Sequence, residues 1–285
     1  MAQLREVRRR IQSVKNTQQV TRAMKMVAAA KLRKSQIAAL QARPYADHIE
    51  KVINILLTGE LPEDNVLLQG QESDKVHLVA IAGDRGLCGG FNINILKKVQ
   101  EVLDGCNCNI ECTVLGKKAF EFFQKHGIEV TGKYQDLDDR DLIELSREIS
   151  SHVVSRFTEG HCRSVELVYS EFESVISQRI VHRPVLPLTT PWLEDDHEKP
   201  EIIYHPSNEM VFERLLPRYL LTIFHHAILE SLASIHGARM TAMDMATRNA
   251  GELISQLTQE YNQARQAAIT RELIEIVSGA DALNH

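Results

Sequence analysis

The segment Gly83 to Gly90 has residue types that could cradle a phosphate, because it is rich in glycine and lies between an apolar run and a helical pattern. It matches neither the Gly-x-x-x-x-Gly-Lys-Ser/Thr loop nor the Gly-x-Gly-x-x-Gly pattern of nucleotide-binding proteins. We therefore expect a structural turn whose glycines adopt positive φ angles. Cys88 within it could be a nucleophile, but no histidine is near it in the sequence. No catalytic residue is predicted.

Cysteine and histidine side chains are the other candidates for chemistry. The five cysteines are Cys88, Cys106, Cys108, Cys112 and Cys162. An odd number without an export signal predicts free thiols in a reducing compartment. Cys106, Cys108 and Cys112 lack a second pair or nearby histidines at ligand spacing, so no metal or cofactor is predicted. The histidines at 225, 226 and 236 do not form a His-Glu-x-x-His helix, and we expect them to be solvated or pocket residues.

Positive charge is concentrated at the N-terminus. Residues 1–43 carry eleven Lys and Arg against one acid, Glu6, although the whole chain has a net charge of −5. Such asymmetry predicts an acidic partner, and both nucleic acid and an acidic protein surface satisfy it. No run of 18 apolar residues is present, so direct membrane insertion is not expected.

The elements that must position these residues begin with a long helix over residues 1–58. Leu4, Val7, Ile11 and Val14 follow the 3-4-3 spacing of a coiled-coil seam. Pro44 is expected to kink or restart the helix, because proline removes a donor and crowds the preceding turn. About 56 residues at a rise of roughly 1.5 Å each predict a length of roughly 85 Å.

Residues 75–190 change period. Short apolar runs alternate with helical patterns, which predicts a compact α/β domain, and the run at 76–82 is typical of a strand buried in a parallel sheet. Pro184 and Pro187 place the last strand at an edge. The expected strands are 76–82, 110–115, 128–130, 165–170 and 178–186, with helices at 94–103, 117–126 and 139–157. An acidic connector, bounded by Pro191 and Pro200, follows.

The final segment, 207–285, is helical again, with Ser207 as a good N-cap. Pro217, Gly237 and Gly251 are expected to bend it, and about 71 residues predict a length of roughly 105 Å. Neither terminal helix can bury its apolar stripe alone. We therefore predict an α+β fold, in which 1–58 and 207–285 form a long antiparallel α-helical coiled coil and the α/β domain is inserted between them.

The C-terminal tip has few charged residues and many small or apolar ones. Its apolar and small residues are Ile276, Val277, Gly279, Ala280, Ala282 and Leu283. Such a tip favours a seat in an apolar sleeve supplied by other chains, although a fraying helix end gives the same pattern.

Three strings carry a family resemblance. Residues 9–36 contain IQSVKNTQQVTRAMKMVAAAKLRKSQ, residues 84–95 read DRGLCGGFNINI, and residues 261–279 read YNQARQAAITRELIEIVSG. All three, in this order and spacing, resemble the ATP synthase gamma subunits, and the whole chain resembles the bacterial form. The family implies a coiled-coil shaft with a Rossmann-like globular domain, consistent with the periodicity.

The resemblance also implies partners and site residues. The shaft would lie within a hexamer of alpha and beta subunits, with its foot on the membrane rotor ring and the epsilon subunit. Arg9, Met24 and Lys25 would face an acidic beta-subunit loop, and Arg265, Gln266 and Thr270 would form an upper beta-subunit contact. The chain would be a non-catalytic subunit at the cytoplasmic face of the bacterial inner membrane.

Two other classes of function remain open at this point. A nucleic-acid-binding coiled-coil protein would place its basic helix on phosphates and bind with a steep salt dependence. An enzyme using the Gly83–Gly90 turn would bind nucleotide as an isolated chain. The spacing of Cys106 and Cys112 is similar to the redox switch of the chloroplast form, but the inserted loop of that form is absent, so we interpret the spacing as coincidence.

Overall fold

The computed structural model describes residues 2–58, 62, 65–106, 108–188, 204–205 and 207–283. The acidic connector predicted between Pro191 and Pro200 lies outside these residues, as do the side chains at both extreme ends of the chain. The described chain forms two compact units. The helical unit comprises Met1–Val27 and Met240–His285, and the sheet unit comprises Ala28–Arg239.

The two terminal helices contribute residues to both units. Helix α1 spans Ala2–Leu57 and helix α5 spans Asn208–Leu283. Both continue through their internal prolines, Pro44 and Pro217, so α1 does not restart at Pro44. In the described part of the chain, no helix is long and apolar enough to cross a bilayer.

Within the helical unit, α1 and α5 run antiparallel. Gln18 Nε2 donates to the Thr247 carbonyl at 3.3 Å, and the hydroxyls of Thr21 and Thr247 are 2.8 Å apart. Further along α1, Lys25 Nζ lies 2.5 Å from Asp244 Oδ1. Because the α1 number rises as the α5 number falls, these contacts confirm the predicted antiparallel coiled coil.

The sheet unit is built on five strands in the order β3-β2-β1-β4-β5. Their bounds are β1 Lys75–Ile81, β2 Asn109–Leu115, β3 Glu129–Tyr134, β4 Ser164–Phe172 and β5 Gln178–Leu186. The first four in this order are parallel, and β5 pairs antiparallel with β4 at the edge. The edge position predicted from Pro184 is therefore confirmed, since a proline cannot donate to a second neighbour.

Three shorter helices connect the strands. They are α2 Phe91–Gly105, α3 Lys117–Lys125 and α4 Leu142–Thr158, and a 3₁₀ turn at Leu137–Asp139 precedes α4. Asp141 caps α4, because its Oδ1 accepts hydrogen bonds from the amides of Ile143 and Glu144.

Both faces of the sheet are covered, which explains the continuous apolar run of β1. Successive side chains alternate between faces, so Leu78 and Ala80 pack with α2 and α3, whereas Val79 and Ile81 pack against α4 and the terminal helices. From α1 the second face receives Ile49, Ile53, Leu56 and Leu57, and from α5 it receives Phe212, Leu216, Leu220, Phe224 and Ile228. Residues 28–57 and 208–239 of the terminal helices therefore belong to the same compact unit as the sheet.

Candidate functional site

The Gly83–Gly90 turn follows β1 at the carboxyl edge of the sheet, and hydrogen bonds of Gly83, Asp84 and Asn92 tie it to the rest of the chain. Asp84 Oδ1 accepts from the Lys117 amide and its Oδ2 accepts from the Leu137 amide, both at 3.0 Å. Asn92 Oδ1 accepts from the Gly83 amide at 2.9 Å, and its Nδ2 lies 3.2 Å from Cys88 Sγ. These bonds make the segment a structural turn that ties β1 to the starts of α3 and the 3₁₀ turn.

The backbone of this turn differs in part from the expectation. Among its glycines only Gly89 has a positive φ, +59°, and the other left-handed position is occupied by Leu87, at +60°. Leu87 is 61% exposed. Left-handed backbone is unfavourable for a residue with a Cβ, so the surrounding hydrogen bonds hold Leu87 in place.

In an open α/β sheet, ligands bind where the strand order reverses, between the carboxyl ends of two neighbouring strands. Here that point lies between β1 and β4. Helix α5 closes it, because Ser231 Oγ accepts from the Ser170 amide at 3.2 Å and Glu230 Oε2 accepts from the Phe172 amide at 2.9 Å. Ile235 of α5 packs into the apolar cluster around the end of β1.

Beside the end of β1, between the 3₁₀ turn and α5, lies a cavity of about 40 Å³ whose lining includes Asp84 and Arg85. Small-molecule sites usually measure about 300–1,000 Å³. The geometry therefore favours a site occupied by the protein's own helix over a nucleotide pocket.

A second group of titratable residues lies under α4, and sequence reasoning missed it. His77 Nδ1 donates to Glu111 Oε1 at 2.7 Å, and His77 Nε2 lies 2.8 Å from the Thr113 hydroxyl. Arg156 donates from Nε to Glu111 Oε1 at 3.0 Å and from Nη2 to Oε2. His77 and Glu111 are completely buried. The signal in the sequence was a histidine and a glutamate within two apolar strands.

The same cluster is the best candidate for a metal site in the described chain, since His77, Glu111 and Cys162 have ligand atoms within 4.8 Å of one another. Two observations oppose a metal. Arg156 already neutralises both oxygens of Glu111. Burial, followed by the charge of Glu111, raises the pKa of Cys162 to about 12, so its thiol stays protonated and is a poor ligand.

Burial by itself would raise the pKa of Glu111, but the hydrogen bonds from His77 and Arg156 outweigh it and lower the pKa to about 2. The carboxylate is therefore ionised at neutral pH and shared between a histidine and an arginine. This arrangement joins β1, β2 and α4 and performs no evident chemistry on a substrate.

Three of the five cysteines are free thiols, as expected, and the other two are not. Cys106 and Cys108 form a disulfide between α2 and β2, with Cα atoms 5.2 Å apart, whereas Cys88, Cys112 and Cys162 are free and buried. Cys106 is paired with its near neighbour rather than with Cys112, which separates it from the chloroplast-type spacing considered above.

The predicted contact residues lie on the helical unit. Arg9, Arg265, Gln266 and Thr270 are exposed, and Met24 is partly exposed at 38%. Lys25 is half-buried because its ammonium is paired with Asp244. The structure thus leaves five of the six side chains open to a partner, and the sixth, Lys25, is paired with Asp244 but keeps 42% of its side chain exposed.

Of the apolar tip residues predicted from the sequence, the described side chains include Ile276, which is 68% exposed. Val277, Gly279, Ala280, Ala282 and Leu283 lie outside the described side chains.

Comparison with known proteins assigns the family. A family model described as ATP synthase matches residues 3–283. The ATP synthase gamma chain of Moorella thermoacetica is 43% identical over 283 residues, covering 99% of this chain and 100% of the relative. That of Desulforamulus reducens is 44% identical over 283 residues, with the same coverage of both chains.

Among solved structures, a chain of the Euglena gracilis mitochondrial ATP synthase (OSCP/F1/c-ring, rotational state 3) matches with a TM-score of 0.70 at 20% identity, covering 99% of this chain and 95% of that one. A chain from the central stalk and c-ring of the Tetrahymena thermophila mitochondrial ATP synthase matches with a TM-score of 0.59 at 23% identity, covering 80% and 99%. At these identities the likeness establishes the fold. With the sequence relatives, it leads to one conclusion: the chain belongs to the ATP synthase gamma chain family.

Proposed function

We propose that this chain is the central rotor stalk of an ion-translocating ATP synthase. It transmits rotation between a membrane rotor ring and a catalytic hexamer of alpha and beta subunits, and so couples ion flow to ATP synthesis or hydrolysis. Residues 1–58 and 207–285 act as the shaft, and residues 75–190 act as the globular domain. Family membership sets the class of protein, and the surface of the helical unit carries the argument for a shaft.

That surface exposes many large apolar side chains, which is the observation that carries the proposal. They are Val20, Met24, Met26, Val27, Met245, Leu253, Ile269, Leu273, Ile274 and Ile276. A soluble protein rarely exposes so many large apolar groups unless a partner covers them. Methionine adapts to a changing neighbour better than a branched side chain, which suits a surface that slides past several partners.

The charge of the same unit selects the partner. Arg5, Arg8, Arg9, Lys15 and Arg22 are exposed and form no ion pair with any residue that the structure describes. An acidic surface would stabilise this array. We propose that Arg9, Met24 and Lys25 contact an acidic loop of a beta subunit, and that Arg265, Gln266 and Thr270 make a second contact with a beta-subunit loop.

The chain is proposed to be non-catalytic. Helix α5 lies across the position where an open α/β sheet would bind a ligand, and the Gly83 amide and the Asp84 carboxylate of the turn are used in internal hydrogen bonds. Catalysis would therefore reside in the hexamer. The chain would act from the cytoplasmic face of a bacterial inner membrane, held there through the rotor ring and an epsilon subunit.

The mechanism follows from asymmetry. Three chemically identical beta subunits would meet different faces of one shaft, and a partner shifts a conformational equilibrium only through differential contact. Rotation would then take each subunit through all its nucleotide affinities in turn. The transmembrane potential supplies roughly 2.3 kcal/mol for each elementary charge that crosses 100 mV, so several ions must cross the membrane for each ATP.

Reconstitution tests the proposal. All other subunits of the complex, including those in the membrane, are assembled in vesicles with and without this chain, and ATP hydrolysis and ATP-driven ion uptake are measured together. We expect ion uptake only when the chain is present. Coupled uptake without the chain would overturn the proposal, and so would tight, salt-sensitive binding of nucleic acid by a chain that does not associate with the hexamer.

A further inference from the structure

Two carboxylates in the sheet unit each join both terminal helices to the α/β fold. Asp138, in the 3₁₀ turn, lies 2.7 Å from Lys31 Nζ of α1 and 2.8 Å from His236 Nε2 of α5. Glu230, on α5, accepts from the Phe172 amide of β4 and lies 3.7 Å from Arg43 Nη2 of α1. Each acid therefore links its own element to two others.

The surrounding groups fix these acids in place. Arg239 Nη1 donates to His236 Nδ1 at 3.2 Å, and His236 Nε2 donates to Asp138 on the other side of the ring. Glu230 and His236 are nearly fully buried. Ser231 and Ser234 add hydrogen bonds to the amide and the carbonyl of Ser170. Over two turns of α5, from 230 to 236, polar side chains thus bind the helix to the end of β4 and to the 3₁₀ turn.

Apolar contacts and hydrogen bonds differ in how well they resist a small displacement of a helix. Most contacts between the terminal helices and the sheet are apolar, and apolar burial is non-directional. A helix can slide or turn by a small amount on such a surface while keeping most of its buried area. Hydrogen bonds depend on distance and angle, so they oppose these small displacements.

The position along the chain matters as well. Arg239 is the last residue of the sheet unit on α5, and Ala28 is the first on α1. Within that unit, His236 therefore lies in the last turn of α5 and Lys31 lies in the first turn of α1. A turning force carried along the two helices reaches these contacts before it reaches the apolar packing of residues 49–57 and 212–228.

We propose that Lys31, Arg43, Asp138, Glu230, Ser231 and His236 form a polar joint that transmits torque between the shaft helices and the α/β domain. This inference rests on the proposed rotor function. The joint holds both helices in register with the sheet under load, and without it the apolar layer yields, so that part of each rotation is lost as twist.

The test uses the whole complex, assembled with variants of this chain. Asp138→Asn and Glu230→Gln remove the two charges with little change in shape, and Asp138→Glu retains the first charge. Glu148→Gln is the matched control, because Glu148 pairs with Arg140 on the α/β domain and forms no ion pair with a described residue of either terminal helix. For each complex, ATP hydrolysis, ion pumping against a gradient and the stoichiometry of the purified subunits are measured.

The expected result for Asp138→Asn with Glu230→Gln is retained hydrolysis with a loss of ions pumped per ATP against a steep gradient. In single complexes stalled with nucleotide, a bead on the α/β domain should show a wider angular distribution. Asp138→Glu and Glu148→Gln should behave as wild type in both measurements. A role in folding alone would lower the yield of assembled complex and leave both values per complex unchanged.

Wild-type pumping and angular width in the double variant, at normal subunit stoichiometry, would overturn the joint and leave the rotor function intact. If the double variant does not assemble, the single change Lys31→Gln is measured in the same way, because Lys31 is partly exposed and its loss leaves the bond between His236 and Asp138 in place. Failure of the wild-type chain to couple would instead reject the proposed function.

Discussion

Glu111 is the residue at which burial and charge are in strongest conflict. A carboxylate inside a sheet is costly unless its charge is compensated and its oxygens are hydrogen-bonded. His77 and Arg156 satisfy both oxygens, and Thr113 satisfies the far side of the histidine ring. The cluster depends on all its members, so the removal of one leaves a buried or half-buried partner unsatisfied.

We expect Glu111→Gln to destabilise the sheet unit by about 3–5 kcal/mol, the usual cost of breaking a buried ion pair from one side. The glutamine amide carries no charge to neutralise Arg156. Its NH2 group replaces an oxygen that accepts a hydrogen bond in the wild type, so it faces an N–H donor without an acceptor. Urea unfolding of the chain, followed by circular dichroism, measures the change. Glu129→Gln is the control, because Glu129 is exposed and its pair with Lys75 is long, at 3.5 Å. A control shift as large as that of Glu111→Gln would contradict this reading.

The same residue predicts a pH dependence. The pKa of Glu111 in the folded state is about 2, which lies below the ordinary value for glutamate of about 4.3 in an unfolded chain. A lowered folded-state pKa contributes stability that is fully present above the unfolded value and is lost as pH falls towards the folded value. The urea midpoint should therefore fall between about pH 4.5 and 2. In Glu111→Gln this part of the fall should be absent, and an unchanged acid profile would show that other carboxylates cause it.

At the scale of elements, periodicity and apolar runs predicted most of the architecture, because they report which face of a helix or strand is buried. The strand predicted at 110–115 corresponds to β2 at Asn109–Leu115, and the strand predicted at 178–186 has the same bounds as β5. The third strand was predicted too short, at 128–130, since Gly132 and Lys133 interrupt the apolar pattern of Glu129–Tyr134.

Other features of the elements depend on tertiary contacts that local pattern does not report. Proline weakens an isolated helix, but α1 continues through Pro44 because Ile49, Ile53 and Leu56 anchor the following turns on the sheet. The left-handed backbone at Leu87 and the pairings of Glu111, Asp138 and Glu230 join residues far apart in sequence. Periodicity cannot reveal such contacts, although a charged residue within an apolar strand or stripe marks where to look.

The turn between β2 and α3 shows how strictly one element can constrain one residue. Gly116 has φ of +90°, and a Cβ there would lie 2.1 Å from the Ala82 carbonyl oxygen. Its amide donates to the Tyr134 carbonyl at 2.7 Å, so the backbone cannot move away without breaking a link to β3. Only glycine satisfies both conditions.

Gly116→Ala should therefore destabilise the chain by about 3 kcal/mol or more through overpacking and backbone strain. Gly105→Ala is the matched control, because Gly105 ends α2 in open space and has no positive φ. That change should be neutral or stabilising by up to about 1 kcal/mol, since alanine favours the helix. The two urea midpoints distinguish the cases, and equal midpoints would mean that the turn relaxes at no cost.

At the scale of the whole molecule, charge is distributed unevenly along the chain. The first 43 residues carry nearly all the excess positive charge, and the rest of the chain is acidic. A partner of opposite sign would relieve the self-repulsion along α1. An acidic protein loop and a nucleic acid both carry the required negative charge. Only the protein would also cover the exposed apolar side chains beside the arginines.

Arg8→Gln with Arg9→Gln should slow association of the chain with alpha and beta subunits by up to about tenfold at low salt, and high salt should abolish the difference, because long-range steering is screened beyond the Debye length. Lys97→Gln with Lys125→Gln removes the same charge from exposed positions on the sheet unit and should leave the rate unchanged. Stopped-flow association at several salt concentrations measures both pairs.

An equal effect of the two pairs would mean that the net charge of the chain determines the rate and that the location of the arginines does not. A normal rate in the arginine variant would place the acidic partner elsewhere, because an electrostatic contact that forms early in docking must register in the association rate.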